Sequence, residues 1–248
     1  MGCSGSKGSG GESLARPNSR LTVWGDHFNS DTRTLLGILK IANVPHSFEK
    51  VNMLNEEHRK ESYLIQNPSG QIPMITEGPF KVIGGGNTLI NYLINAHKPV
   101  AEHLYPEPLR AEVEKFLNWF QSKMRPETQR LVRMIVPAKV LGGTPASNEE
   151  KLKQRNTIYE KHGLLSVLDK KLEKTGSYVC GDQMTVVDVL FYCEISTVLS
   201  LTLKSEDELG ANNPNINTWY LRMKTVPGMA ELDNELADIV KKFDLAEK

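Results

Sequence analysis

Strand signals occupy only the first third of the chain and everything after them reads as helix, an asymmetry that limits the fold more than any other feature. LTVWGD (21–26) and HSFEKV (46–51) show short-strand patterns, and DTRTLLGILKIAN (31–43) sets Leu35, Leu36, Leu39 and Ile41 at helical spacing before Val44-Pro45 ends it. NEEHRKESYLIQN (55–67) predicts a second helix stopped by Pro68, PMIT and FKVI flank Glu77-Gly78 as a hairpin, and another helix is expected from Asn87 to Ala96. The order β-α-β-α-β-β-α, with crossover helices joining the first strands, predicts an α/β sheet of about four strands. After the Pro-containing stretch from His97 to Pro108 the helical patterns run over 109–140, 149–175, 186–203, 215–226 and on to Phe243, an all-helical second domain.

Charge and cysteine content narrow the function classes. Lys plus Arg and Asp plus Glu both total 30, so no net charge favours a nucleic-acid partner, and small neutral ligands or other proteins fit better. Cys3, Cys180 and Cys193 are too few and too scattered for a disulfide framework or a metal knuckle, which reads as a reducing, cytoplasmic setting with Cys180 and Cys193 in the core. No apolar run reaches the roughly 18 residues of a membrane span, and the N-terminus lacks the apolar core of a signal peptide.

Residues 1–20, MGCSGSKGSGGESLARPNSR, are rich in Gly and Ser and nearly free of large apolar side chains, the composition of a flexible tail. Its opening fits the N-myristoylation pattern at Gly2, with Ser6 in the polar slot and Cys3 as an adjacent palmitoylation candidate. Two acyl chains hold a protein to a membrane surface firmly where one holds it marginally. The alternative is a linker that happens to begin Met-Gly.

VIGGGNTLINYL (82–93) places Gly84, Gly85 and Gly86 between a strand pattern and a helix pattern. Backbone N–H groups at such a helix mouth suit an anion, but no G-K-[ST] follows, so a nucleotide loop is disfavoured.

Three motifs in order carry a family resemblance. NMLNEEHRKESYLIQNPSGQIP (52–73) contains Asn67-Pro68 and the Gln71-Ile72-Pro73 turn; GDQMTVVDVLFYCEI (181–195) contains a Thr-x-x-Asp box at Thr185 and Asp188; PNINTWYLRMKTVPGM (214–229) is a Pro-x-Ile-x-x-Trp segment. From Leu21 to Phe243 the chain resembles the soluble glutathione transferases, in particular the theta-like class. The resemblance implies a thioredoxin-like glutathione-site domain over 21–97, a linker over 98–108 and a helical domain over 109–248. It implies no cofactor beyond glutathione as co-substrate, a small hydrophobic electrophile as second substrate, and a homodimer packed through the first domain of one chain and helices of the other.

The site residues follow from the same resemblance. Ile72-Pro73 is expected to be a cis peptide whose Ile72 backbone, beside Gln71, pairs with the cysteinyl unit of glutathione; otherwise Pro73 merely starts a strand. His58 falls in register with a histidine that contacts the glycyl carboxylate. The family's thiol-contacting Ser, four residues before an Arg, maps onto Asn29 by counting back from Arg33, with Ser30 next to it. Either of them contacts the thiol, or the two only cap the first helix. The acidic residue and Ser that hold the γ-glutamyl end map onto Gly84-Gly85 or Gly85-Gly86, so their side chains are missing and Asn87 and Thr88 are the substitutes at hand. Trp119, Arg130 and Arg133 are expected to wall the electrophile pocket on a helix with Met124, Arg125 and Met134; the same stripe also reads as a solvated face with apolar residues behind it. Thr185 and Asp188 are expected to cap a buried helix, a folding element without chemistry. The expected function is conjugation of the glutathione thiolate to small apolar electrophiles, weakened by the glycines; the alternative is a non-catalytic, membrane-tethered binding or scaffold protein on the same fold.

Overall fold

The computed structural model describes residues 20–136, 146–160, 163–202 and 206–245. Gly2 and Cys3 lie outside them. Strand β1 (Leu21–Gly25) pairs parallel with β2 (His46–Lys50) in the register Val23↔Phe48, because helix α1 (Ser30–Ile41) carries the chain back over one face. On its other edge β1 pairs antiparallel with β3 (Met74–Glu77), which turns at Gly78 into β4 (Phe80–Ile83), so the sheet order is β2-β1-β3-β4. This is the expected four-stranded mixed sheet, followed by a largely helical domain.

The segment 55–67 differs from the single helix its sequence predicts. Glu56 adopts the left-handed conformation (φ 58°), which a continuous helix does not accept, and the segment divides into a 3₁₀ turn (Glu57–Arg59) and the one-turn helix α2 (Glu61–Leu64). Only Tyr63 of these residues is buried, so little apolar surface supports a longer helix. Helix α3 (Gly86–Ala96) is as expected, but the 97–108 stretch holds a further helix, α4 (Lys98–Leu104), with Pro99 in its first turn where a missing N–H costs nothing.

Of the predicted 109–140 helix, residues 137–140 lie outside the described residues, and the rest is α5 (Arg110–Trp119), a π-helical turn (Phe120–Met124) and α6 (Arg125–Ile135), which carries Pro126 in its first turn. The 149–175 pattern is likewise two helices, α7 (Asn148–Tyr159) and α8 (Leu164–Thr175), the first opened by a capping box between Ser147 and Glu150. Helix α9 (Val186–Thr202) is buried almost throughout; α10 (Glu206–Asn212) packs on α11 (Pro214–Lys224), and α11 and α12 (Met229–Lys242) pack against α9.

Two of the sequence motifs form one hydrogen-bonded unit. Asp188 at the start of α9 accepts from Thr185 N (2.8 Å), Thr185 Oγ1 (3.0 Å), Val179 N (2.8 Å) and Trp219 Nε1 (3.0 Å) of α11. The Thr-x-x-Asp box therefore fixes the following motif as well as its own helix.

The sheet domain meets the helical domain along α1 and α9. Gly37 of α1 allows the close approach: a Cβ there would stand 3.0 Å from Val189 Cγ1. One turn earlier, Arg33 is fully buried in the same seam.

Candidate active site at the domain boundary

The start of α1 is built from polar residues that the two domains close over. Asn29 is the N-cap, and its Oδ1 accepts from Thr32 N at 2.9 Å, which satisfies one free helix donor and leaves the amide NH₂ as its remaining hydrogen-bonding group. Asn29 and Ser30 line a cavity of about 60 Å³ together with Phe28, Met53, Gln129, Val132, Glu194, Thr197 and Val198. Sequence reasoning left capping and ligand contact as alternatives for Asn29; the geometry permits both at once, because they use opposite ends of the amide.

Ser30 is placed differently. Its hydroxyl donates to Glu194 Oε2 (2.6 Å) and accepts from Arg125 Nη1 (2.5 Å), and Glu194 Oε1 accepts from Thr128 Oγ1. Arg125 bridges two carboxylates, with Nη1 on Glu194 Oε2 and Nη2 on Asp31 Oδ2, both at 2.6 Å. Burial pushes the Asp31 carboxyl above its usual range, Arg125 works against that, and Glu194 adds to it. Arg33 holds the cluster from behind, donating to the backbone carbonyls of His27 (2.5 Å) and Cys193 (2.6 Å) and to Thr197 Oγ1 (2.5 Å).

Sequence reasoning did not find Asp31, Thr128 or Glu194 as members of this cluster. The available signal was a carboxylate inside VVDVLFYCEISTVLSLT, since acidic residues in a buried helix are normally paired.

The loop from His58 to Pro73 forms the next wall. Ile72-Pro73 is a cis peptide, as expected. Gln71 is exposed at its side chain, but its carbonyl accepts from Tyr63 Oη (2.8 Å) and Asn67 Nδ2 (2.6 Å), while Asn67 Oδ1 accepts from Ser69 Oγ (2.6 Å). Buried Asn67 thus sets the shape of the turn before Ile72. His58 lies beside Gly70 of this loop, its Nδ1 is buried without a hydrogen-bond partner, and burial, then the Arg59 charge, lower its pKa.

At the mouth of α3, Gly85 is the N-cap and Gly86 the first helical residue. A Cβ on Gly85 would meet nothing within 4 Å, whereas one on Gly86 would stand 2.6 Å from Asp31 Oδ1. Gly86 is therefore a place of contact with α1, and Gly85 is open space. Asn87 does not face that space with its side chain: its amide donates to Leu117 O (3.1 Å) and accepts from Gln121 Nε2 (3.2 Å) of the helical domain.

The three residues expected to wall an electrophile pocket are not gathered at the α1 cavity. Trp119 packs edge-on against Phe116 and Phe191 at centroid distances of 6.4 and 5.9 Å, Arg130 is exposed and 3.6 Å from Glu127, and Arg133 is exposed. Cys180 and Cys193 are core residues whose thiols burial pushes up to about 12, which removes them as nucleophiles.

Residues 124–227 match the model of the glutathione S-transferase C-terminal domain. The chain is 23% identical over 223 residues to glutathione S-transferase T3 of Arabidopsis thaliana, an alignment covering 88% of this chain and 37% of that protein. It thus spans little more than a third of that plant relative. It is 23% identical over 224 residues to glutathione S-transferase theta-3 of Mus musculus, covering 90% of this chain and 89% of that one. Human glutathione transferase theta-2, solved in complex with glutathione and an unknown ligand, superposes with a TM-score of 0.75 at 20% identity, covering 90% of each chain. With the mixed sheet, the helical domain and these relatives together, the chain has the glutathione transferase fold, its residues 124–227 match that family's C-terminal domain, and theta-class members are among the proteins it is similar to.

Proposed function

We propose that the chain is a glutathione transferase-like protein that binds glutathione along the sheet edge from His58 to Gly86 and adds its thiolate to small apolar electrophiles, at a modest rate. The observation that carries this reading is the cavity at the start of α1, lined by Asn29 and Ser30, where family members place the thiol. The Asn29 amide is the donor for the sulfur, the Ile72 backbone faces the cysteinyl unit, and His58 takes the glycyl carboxylate. The γ-glutamyl end meets only backbone N–H groups at Gly85 and Gly86, which accounts for the modest rate. Trp119, Arg130 and Arg133 retain a role only toward the outer part of a bound electrophile.

Titration calorimetry with glutathione tests this, and His58 gives it a sign. Burial lowers the pKa of His58, so the free protein carries it neutral near pH 7, while a docked carboxylate favours the imidazolium. Binding then takes up a proton and tightens as pH falls from about 7.5 to 6, by up to about tenfold per pH unit. Glutathione has no carboxyl or thiol titrating in that window. Expected is millimolar or tighter binding with proton uptake, and loss of both the slope and part of the affinity in His58→Ala. A dissociation constant beyond about 10 mM, unchanged by His58→Ala, removes the reading.

The pattern at Gly2 and Cys3 supports tethering to a membrane surface through acyl groups, and the family resemblance supports a dimer; no described helix is long and apolar enough to cross a membrane. Gly2→Ala is expected to move the protein from membrane pellet to supernatant, where light scattering should give the mass of two chains. Unchanged fractionation rejects the tether, and a single-chain mass rejects the dimer. A tethered protein that fails the calorimetric test is the non-catalytic alternative.

A further inference from the structure

Ser30 stands next to the residue in the family's thiol slot and lines the same cavity, yet its hydrogen bonds are already assigned. A hydroxyl has one proton and two lone pairs. The proton of Ser30 lies on Glu194 Oε2 at 2.6 Å, and one lone pair accepts from Arg125 Nη1 at 2.5 Å. What remains for a ligand is a lone pair, which attracts the S–H of a thiol and repels a thiolate.

The charges around the cavity act in the same direction. Asp31 and Arg33 come from α1, Asp26 from the end of β1, Arg125 from α6 and Glu194 from α9. Asp26 is engaged by the backbone N–H groups of Phe28 (2.9 Å) and Met53 (2.8 Å), and Arg33 by the carbonyls of His27 and Cys193 and the hydroxyl of Thr197. The carboxylates of Asp31 and Glu194 share the single guanidinium of Arg125, an excess of negative charge in a group that is almost fully buried. Of the two, Glu194 is the one that lines the cavity.

We infer that Glu194 is a positioning residue that holds the Ser30 proton away from the ligand sulfur and so raises the pKa of a thiol bound in this cavity. The inference rests on glutathione binding at this site. Ionisation breaks the S–H bond and releases the proton to solvent, leaving the electron pair on sulfur, where the Asn29 amide is then the only side-chain donor from the start of α1. Replacing the carboxylate by an amide keeps the shape and removes the charge. A neutral acceptor binds a hydroxyl proton about half as strongly, so the Ser30 proton becomes free to turn to sulfur.

The test uses the full chain with saturating glutathione, reading thiolate absorbance near 240 nm against pH and conjugation of 1-chloro-2,4-dinitrobenzene at pH 6.5, with affinity measured separately by calorimetry. Glu194→Gln is expected to lower the bound thiol pKa by about one unit and to raise the rate about tenfold, with affinity nearly unchanged. A gain of this kind does not arise from a damaged fold. Ser30→Ala is the second arm: in the wild-type background it removes only a lone pair and leaves the thiol pKa unchanged or slightly lower, and in the Glu194→Gln background it removes the part of the gain that the freed Ser30 proton supplies. Normal glutathione binding with an unmoved or raised thiol pKa in Glu194→Gln overturns the inference, as does a raised pKa in Ser30→Ala alone. Wild-type protein that takes up no glutathione overturns the functional reading, and this inference with it.

Discussion

Three adjacent glycines look interchangeable in the sequence, and the structure separates two of them by what surrounds each missing side chain. Gly86 leaves no room for a side chain beside Asp31, whose carboxylate is held by Arg125 at 2.6 Å. Gly85 sits at the N-cap with φ −68° and ψ 166°, backbone that a Ser adopts without strain, and open space lies in front of it. Of the two positions onto which the resemblance maps the family's hydroxyl, Gly85 is therefore the one at which it fits. Gly85→Ser is expected to tighten glutathione binding about tenfold, the effect of one hydrogen bond to a charged group, and to raise helix stability by only a few tenths of a kcal/mol. Gly86→Ser is expected to weaken binding and to cost about 1–3 kcal/mol, because its side chain drives Asp31 off Arg125. Calorimetry and thermal melts of the two variants check the pair. Equal behaviour would mean that the mouth of α3 is not where the γ-glutamyl end binds.

At the scale of elements, what the sequence made legible follows the strength of the local signal. The alternation in LTVWGD and HSFEKV and the hairpin at Glu77-Gly78 specified the sheet, because a period of two and a turn residue act within a few positions. Thr185 and Asp188 were readable as a cap for the same reason; that Asp188 also accepts from Trp219, thirty-one residues later, was not, because nothing local records a partner on another helix. The 55–67 segment misled because its charged residues are good helix formers, while the left-handed turn at Glu56 and the burial of Tyr63 alone shorten the helix. At the site, the alignment on Arg33 led to Asn29 and Ser30, and the structure gave each a separate part. Glu194 stayed hidden because Ser30 meets it from 164 residues away in the chain, and Thr128 because it joins the cluster through Glu194, 66 residues from it. Long-range polar clusters leave in the sequence only an acidic residue standing in an apolar run.

For the molecule as a whole, the seam between the domains is held by a charge that, among the described residues, has no carboxylate in direct contact. Arg33 is fully buried, and its two terminal nitrogens bind His27 O and Phe28 O on the sheet-domain side and Cys193 O and Thr197 Oγ1 of α9 on the other. A planar guanidinium spans both sides at once, which a lysine ammonium, a single point donor, does not. Arg33→Lys keeps the charge but abandons one side, so that the two acceptors there lose their charged donor. The expected loss is about 3 kcal/mol or more, at 1.5–3 kcal/mol for each hydrogen bond to a charged group. Because the same arginine orders the turn that carries Asn29 and Ser30, the loss of stability is accompanied by weaker glutathione binding and by faster amide exchange in α1 and α9 together. Urea denaturation, calorimetry and hydrogen exchange on the one variant read these three effects separately. A shifted midpoint with exchange raised only in α1 would show that Arg33 serves its own turn and that the apolar contacts of Gly37 with Val189 hold the domains.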